Sequence, residues 1–439
     1  MLQQGEERSP RTSRFQGAKV LLRSFRDAPG RHICLGFLLV VHLAVVLSIV
    51  LQPRPVIWPL HNDTVHRTGP TGDFYSVYNA AINLRRGIDP YSGSPDGITP
   101  YKYPFRYLPA VAVVFQPFTL LPPKVAWVTW ILGLEILLAA LVVSLWRRIP
   151  PLRTRLVTVG ALLVSSPYFL ELYMGQFTFA AVALLSLALL YPARNPAYGV
   201  SVLLKPFTLA AVPALAAQPR TWRHAVWAFA GVLAMSLPYF MAFPEQWTVF
   251  YTSNFTATSS FDAGNFGTLK FLSMLSDDLH VQPLGLPWTI WVTGLRMTLL
   301  AGTALLVIYS RCDSVVAGVV ALLLGHFLTF PDVWEHHLSA VCVLAAMQIE
   351  DRSHRGLTIA PLLVSLVLLA LPSPFAQFDA EKDPSIWDPS ASWPLHMRYL
   401  LVLPKVAPCV LLYVIAVRQL SRAGFHPSKD AWRRLVVSR

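Results

Sequence analysis

The sequence predicts an all-α integral membrane protein with about ten to twelve transmembrane segments. Of its 439 residues, 54% are hydrophobic and only 13% are charged, whereas a soluble domain carries charge on about a quarter of its residues. Apolar runs long enough to cross a hydrocarbon core recur from end to end. Short basic segments separate these runs, as in the cytoplasmic loops of membrane proteins. A large soluble α/β protein is therefore excluded.

The formal net charge of +13 comes from 36 basic and 23 acidic residues. Nucleic-acid binding is one interpretation of such an excess. The basic residues, however, cluster between apolar runs, where they orient a chain in the bilayer and contact lipid headgroups. We therefore expect membrane lipids as partners and no nucleic acid.

The charge pattern divides the chain into three parts. Residues 1–32 form a basic N-terminal segment and residues 421–439 a basic tail, both predicted to be cytoplasmic. The membrane domain covers 33–420. Its first apolar run, 33–51, is interpreted as a retained anchor. The long loop 52–107 then lies outside, which predicts a multi-pass protein of the cytoplasmic (inner) membrane with both termini inside.

The remaining segments follow from their lengths and flanking charges. Two of them are expected to enter the membrane only part way: 108–123, which Pro117 interrupts, and the hairpin 198–217, in which Lys205 precedes Pro206. If both cross fully, the number of spans is twelve. The other full spans are predicted near 125–146, 156–174, 177–191, 225–243, 288–309, 314–330, 337–350, 356–372 and 396–417.

The outer loop contains a predicted amphipathic helix at 74–86. Phe74, Val77 and Tyr78 begin an apolar stripe at helical spacing, so the helix is expected to lie flat in the outer interface. Asp73 comes immediately before it. This carboxylate has two interpretations that do not exclude each other: an N-cap of the helix, or a functional acid on the outer side.

Three further polar residues stand out because of their surroundings. Lys205 lies inside an apolar hairpin, where an unpaired cation is costly, so it needs an internal ion pair, a snorkelling position or a lipid-linked phosphate. Arg106 belongs to the aromatic segment "YKYPFRY", which is typical either of an interfacial belt or of a phosphate or sugar contact. Gln176 is at an outer turn and is either a turn residue or a ligand contact.

The segment "FPDVWEHH", 330–337, is the richest polar cluster. A metal site is one interpretation of its acids and histidines. Adjacent helical histidines point about 100° apart, and no His–x3–His spacing occurs. We therefore predict no metal, and expect His336 and His337 to bind an anionic leaving group or orient a hydroxyl. Polar loop residues at the water interface are the alternative for Asp332 and His336.

Glu135 is interpreted as a buried acid paired within the helix bundle. No internal repeat and no nucleotide-binding motif is evident. A flippase or transporter of a lipid-linked sugar, which would predict repeats or a series of intramembrane acids, is therefore the second hypothesis rather than the first.

An ordered set of segments resembles glycosyltransferase family 87, the bacterial polyprenol-phosphate-mannose-dependent α-mannosyltransferases of the GT-C fold. The segments are "GDFYSVYNAAINLRRGIDPYSG", "YPFRYLPAVAVVFQPFTLLP", "YMGQFTFAAVALLSLALL", "YGVSVLLKPFTLAAVPALAA" and "EHHLSAVCVL". The resemblance covers most of residues 36–420 and implies a multi-pass GT-C-type bundle.

The resemblance also implies an activity. The enzyme would move a sugar, mannose in the family, from a polyprenyl phosphate to an acceptor hydroxyl outside the membrane, inverting the anomeric centre. The acceptor would be a glycolipid or a polysaccharide. The lipid-linked sugar is a co-substrate, and no cofactor is implied.

The resemblance assigns roles to the residues already singled out. Asp73 matches the family's first-loop catalytic aspartate and would be the general base. Lys205 and His337, with Arg106, would bind the departing phosphate. Gln176 would bind sugar or acceptor, and His336 is a further binding candidate.

Overall fold

A computed structural model describes residues 29–51, 71–93, 97–99, 104–191, 196–217, 221–255, 265–279, 288–354, 359–373 and 394–425. These residues are almost entirely helical, and the described part of the chain has only two isolated antiparallel bridges. Most of the predicted tail and most of the N-terminal segment lie outside the described residues, so the cytoplasmic placement of both termini stays a prediction.

The α-helices are α1 (Pro29–Leu51), α2 (Gly72–Arg85), α3 (Pro109–Phe115), α4 (Pro123–Arg148), α5 (Leu152–Leu163), α6 (Ser166–Met174), α7 (Thr178–Leu190), α8 (Pro196–Leu204), α9 (Val212–Ala216), α10 (Trp222–Ala242), α11 (Pro244–Phe255), α12 (Thr268–Asp278), α13 (Trp288–Tyr309), α14 (Val315–Thr329), α15 (Leu338–His354), α16 (Ala360–Ala370) and α17 (Leu395–Arg422). Three 3₁₀ segments lie between them: Gln116–Leu120, Pro206–Ala211 and Glu335–His337.

The predicted class, an all-α multi-pass membrane protein, is confirmed. Among the described residues, six helical segments are long and apolar enough to cross a bilayer: those in α1, α4, the α5–α6 pair, α10, α13 and α17. Several other predicted spans form shorter apolar helices. The helices α7, α14 and α16 have 13, 15 and 11 residues, fewer than the roughly 20 that a straight crossing needs.

Prolines divide the apolar segments into these shorter pieces. The predicted span 156–174 is broken at Val164–Ser165, and α6 restarts with Pro167 in its first turn. Both segments predicted to be interrupted are interrupted: 3₁₀ turns replace α-helix at Pro117 and at Pro206. Proline has no N–H and fixes φ, so it begins helices readily and breaks those that run into it.

Helix α2 does not expose the polar face that an amphipathic interfacial helix would have, so that part of the expectation is wrong. The polar residues Ser76, Asn79 and Asn83 are buried as well as the apolar stripe. Neighbouring chain satisfies the polar groups: Asn79 Nδ2 donates to Thr99 Oγ1 at 2.7 Å, and Asn83 Nδ2 donates to the Gly93 carbonyl at 2.7 Å. Burying these amides is tolerated because they find such partners.

Glu135 is paired within the bundle, as predicted. Its Oε2 lies 2.8 Å from His42 Nε2 of α1, and the Tyr168 hydroxyl of α6 donates to its Oε1 at 2.9 Å. His42 Nδ1 donates to the Leu163 carbonyl at 2.6 Å. These contacts fix α1 against α4 and α6 at mid-length. The deeply buried helices α6, α7, α14 and α15 form the centre of the fold.

Candidate active site

The first turn of α2 packs directly on the turn that ends α6. The Thr71 N–H donates to the Tyr173 carbonyl at 2.8 Å. Gly175 follows α6 with φ 68°, and a Cβ atom added there would lie 2.5 Å from Phe74 Cβ. Only glycine combines this left-handed conformation with so close an approach. The packing brings Asp73 beside Gln176.

Asp73 is not the N-cap of this helix, so the capping interpretation is wrong. The helix begins at Gly72, and its N-cap is Thr71, which makes no side-chain capping bond. Asp73 lies inside the first turn, where the helix dipole favours a negative charge. Its carboxylate lies beside the side chain of Gln176 instead and interacts with it.

Gln176 owes its position to a Schellman-type turn at the end of α6. The Gln176 N–H donates to the Glu171 carbonyl at 3.0 Å and the Gly175 N–H to the Leu172 carbonyl at 3.2 Å. The Gln176 carbonyl accepts from Trp130 Nε1 at 3.2 Å. Its side-chain oxygen accepts from the Tyr107 hydroxyl at 3.5 Å, so its amide nitrogen is free to face Asp73.

Lys205 occupies the break between α8 and the following 3₁₀ turn. Pro206 disfavours helical geometry at the preceding residue, and Lys205 is extended, with φ −146° and ψ 105°. Its ammonium lies 4.8 Å from the centre of the Tyr107 ring. It attracts Asp73 and Glu171 electrostatically, yet within the described chain it forms no close ion pair with either.

Arg106 lies at the exposed edge of this group. Its side chain is exposed, and Asn254 Nδ2 donates to its carbonyl at 2.9 Å. The next residue, Tyr107, is held by a hydrogen bond of 2.7 Å from the Tyr91 hydroxyl to its carbonyl. Arg106 therefore adds positive charge from the solvent side, and it acts on both Asp73 and Lys205.

The two histidines approach the group from the C-terminal half of the chain. The segment Glu335–His337 is a 3₁₀ turn rather than the α-helix assumed from sequence, and the two rings are 4.1 Å apart. His337 Nδ1 accepts from the Trp334 N–H at 3.1 Å. His336 is 2% exposed, and neither of its ring nitrogens has a hydrogen-bond partner.

Both histidines are neutral near pH 7. Burial, followed by the charge of Lys205, lowers the pKa of His336 to about 3. Burial and the neighbouring His336 hold the pKa of His337 well below its usual value. In the described part of the chain, no group of three or more histidine, cysteine or acidic residues is placed to hold a metal ion.

The two acids of the same segment point elsewhere. Glu335 is buried and accepts from Ser373 Oγ at 2.7 Å and Ser166 Oγ at 3.3 Å. Asp332 lies 3.5 Å from Asn265 Nδ2, and Asn265 Oδ1 accepts the Val333 N–H at 3.1 Å. These contacts shape the loop that presents the histidines and do not reach Asp73.

The surroundings make Asp73 a stronger base than a free aspartate. Burial raises the pKa of its carboxyl, and the charge of Lys205, the Gln176 hydrogen bond and the charge of Arg106 act in the opposite direction. Burial and the charge of Asp73 raise the pKa of Tyr107 well above its usual value, so this phenol stays protonated and can donate. The group thus combines one basic carboxylate, one ammonium and several neutral donors.

Sequence analysis missed one residue of this group, Glu171. It is fully buried on α6 and interacts electrostatically with Lys205 and Tyr107. The signal was available, since Glu171 is an acid within the predicted span 156–174 and only five residues before Gln176. An acid at such a depth needs a partner or a function.

Comparison with known proteins identifies the family. The family model described as "Glycosyltransferase family 87" matches residues 105–331, just over half of the chain. The match includes Arg106, Gln176 and Lys205, whereas Asp73 and the two histidines lie outside it. No curated protein and no solved structure matched the chain. The chain is a membrane glycosyltransferase that belongs to family 87.

Proposed function

We propose that this glycosyltransferase moves mannose from a polyprenyl phosphate to a hydroxyl of a glycolipid or polysaccharide, on the outer side of the cytoplasmic membrane. The family supports sugar transfer, and the site supports a lipid-phosphate donor. No nucleotide-binding motif accompanies the site, whereas a cation beside a broken helix suits a lipid-linked phosphate.

The proposed reaction is a single displacement with inversion. The acceptor oxygen attacks the anomeric carbon while the bond from that carbon to the phosphate oxygen breaks. The bonding electron pair leaves with the polyprenyl phosphate, and the hydroxyl proton passes to Asp73. An inverting transfer needs one base, placed opposite the leaving group.

One observation carries this proposal. The site holds a buried, basic carboxylate and an ammonium that are close enough to interact but are not locked in an ion pair. Lys205 can therefore take the charge that develops on the departing phosphate, with Arg106 adding to it. The Tyr107 ring holds the Lys205 ammonium at 4.8 Å and leaves its hydrogen-bond donors for the ligand.

The uncharged side chains of the site, His336, Gln176 and His337, are proposed to bind or orient groups rather than to neutralise charge. His336 carries no charge to attract phosphate, and its unpaired nitrogens can accept from or donate to sugar hydroxyls. Gln176 reaches Asp73 through its amide, so it would orient the base rather than bind phosphate. His337 is proposed to contact the leaving group as a neutral donor.

Replacing Asp73 by Asn tests the proposal. The protein, reconstituted in liposomes with a bacterial envelope lipid extract, would receive polyprenyl-phosphate-mannose labelled in the sugar. Loss of the base is expected to lower the rate of transfer by about 10²–10⁴-fold. Asp278→Asn is the control, because Asp278 pairs with Arg398 at 3.0 Å outside this group. Transfer by Asp73→Asn at the wild-type rate would refute the base assignment.

The same assay distinguishes the flippase alternative. A flippase would move the labelled donor across the bilayer without forming a mannosylated product, and Asp73→Asn would leave that movement unchanged.

A further inference from the structure

Glu171 is buried at the point where three parts of the site meet. Its Oε1 accepts the Phe179 N–H of α7 at 2.7 Å, and its Oε2 accepts the Ser339 hydroxyl of α15 at 2.9 Å. The Thr178 N–H is a further donor to the carboxylate. These donors satisfy the charge of a carboxylate that is 0% exposed, so its burial is tolerated.

The contacts to α7 have a structural consequence. The N-cap residue of α7, Phe177, has no side chain that could cap the helix. Glu171 supplies the missing acceptor from the preceding helix, and its negative charge also suits the N-terminal end of α7. The residues between Glu171 and Phe179, including Gln176, are thus closed into a short loop fixed at both ends.

The contact to α15 connects the two halves of the site. Ser339 is two residues beyond His337, at the start of α15. The carboxylate that fixes the Gln176 turn therefore also fixes the histidine segment against it. Helix α2 rests on the same turn through Gly175, so the position of Asp73 depends on it as well.

We propose that Glu171 is a positioning residue of the transfer reaction, which acts through the Gly175–Gln176 turn by holding it where α2 packs on it and so keeping Gln176 beside Asp73. This inference rests on the proposed function, since it takes Asp73 as the base. Glu171 itself does not touch the substrate in this scheme.

A double-mutant cycle in the labelled-mannose transfer assay tests the inference. Gln176→Ala removes the amide beside Asp73 and is expected to lower the rate about tenfold. Glu171→Leu leaves the α7 N–H groups without an acceptor and should lower the rate by a similar factor. Because both changes remove the same effect, the double variant should lose about tenfold and not the hundredfold product.

The conservative variant separates positioning from folding. In Glu171→Gln, the side-chain oxygen can still accept from Phe179 and the amide can donate to Ser339, so the rate should recover to within about threefold of wild type. If Glu171→Leu does not fold, Ser339→Ala replaces it, since it removes a single hydrogen bond of the same carboxylate. The rate loss of Ser339→Ala should likewise not multiply with the rate loss of Gln176→Ala.

Three outcomes would overturn the inference: a wild-type rate for Glu171→Leu, losses that multiply in the double variant, or a Glu171→Gln rate as low as that of Glu171→Leu. Asp73→Asn, measured in parallel, separates this failure from that of the proposed function. If Asp73→Asn is inactive but the rate losses of Glu171→Leu and Gln176→Ala multiply, the positioning role of Glu171 is refuted and Asp73 is retained as the base. If Asp73→Asn is fully active, Asp73 is not the base.

Discussion

The packing of Gly175 against Phe74 makes a sharp prediction for Gly175→Ala. An added Cβ would lie 2.5 Å from Phe74 Cβ, whereas carbon atoms in contact prefer about 3.5–4.0 Å. The first turn of α2 must then withdraw from the α6 turn by roughly 1 Å. Asp73 precedes Phe74 and would move with it, away from Gln176.

The expected consequence is larger for the rate than for stability. The left-handed conformation, φ 68°, costs an alanine about 1–2 kcal/mol. A misplacement of about 1 Å at a reacting group can cost about 10²-fold in rate. We therefore expect Gly175→Ala to fold, with a reduced melting temperature, and to transfer labelled mannose about 100-fold more slowly.

Gly424→Ala is the matched control. Gly424 also has a left-handed conformation, with φ 75°, but nothing lies within 4 Å of a Cβ added there. It should show the conformational cost alone, with a rate per folded molecule close to wild type. If the two alanine variants transfer mannose at the same rate per folded molecule, the reasoning that this contact places Asp73 is refuted.

Two further predictions concern Lys205 and His336. Because the base must be ionised, the rate should rise as pH rises through the raised pKa of Asp73 and be lost as pH falls through it. Lys205→Ala removes the strongest interaction that opposes this raised pKa, so the acid limb of the kcat/KM profile should move to higher pH. An acid limb at the wild-type pH would contradict the electrostatic interaction between Lys205 and Asp73. His336→Leu removes two buried nitrogens without partners. It should therefore raise the free energy of unfolding by about 1 kcal/mol and lower the rate of transfer. A lower melting temperature in thermal unfolding would contradict this interpretation.

The sequence predicted the helical pieces well because their signals are local. Pro117 and Pro206 each lie where a 3₁₀ turn replaces α-helix, as the missing N–H and fixed φ of proline favour. Lys205 was recognised because a cation inside an apolar hairpin is costly, and the structure does give it charged and aromatic neighbours. Such residues can be identified from the few residues next to them in the sequence.

The burial of α2 could not be predicted in this way. Its apolar stripe is real, but the loop residues Thr99 and Gly93 cover its polar face. A hydrophobic pattern shows which face prefers to be buried and gives no information on whether distant chain also covers the other face. The pattern therefore predicted an exposed polar face that the folded chain buries.

The contact between His336 and His337 was missed for a similar reason. Adjacent side chains diverge by about 100° in an α-helix and by about 120° in a 3₁₀ turn, so the 4.1 Å approach of the two rings depends on side-chain conformation and on tertiary contacts. One such local contact is the hydrogen bond from the Trp334 N–H to His337 Nδ1. Glu171 was missed because its partners, Phe179 and Ser339, lie in two other helices. Contacts of this kind depend on tertiary structure rather than on spacing.

The corrected position of Asp73 strengthens the case for a chemical role. A capping carboxylate would be tied to backbone N–H groups of its own helix, and those bonds would lower its pKa and weaken it as a base. In this protein no such bond exists at the α2 cap. The side chains that interact with Asp73 come from other elements. They are Gln176 from the α6 turn, Lys205 from the break after α8, and Arg106 from the loop before α3. Burial therefore raises the pKa of Asp73, and these groups from other elements oppose that rise. If Lys205 turned toward the departing phosphate during transfer, Asp73 would lose its main opposing charge just when it must accept a proton, so a cation that binds the leaving group would also strengthen the base.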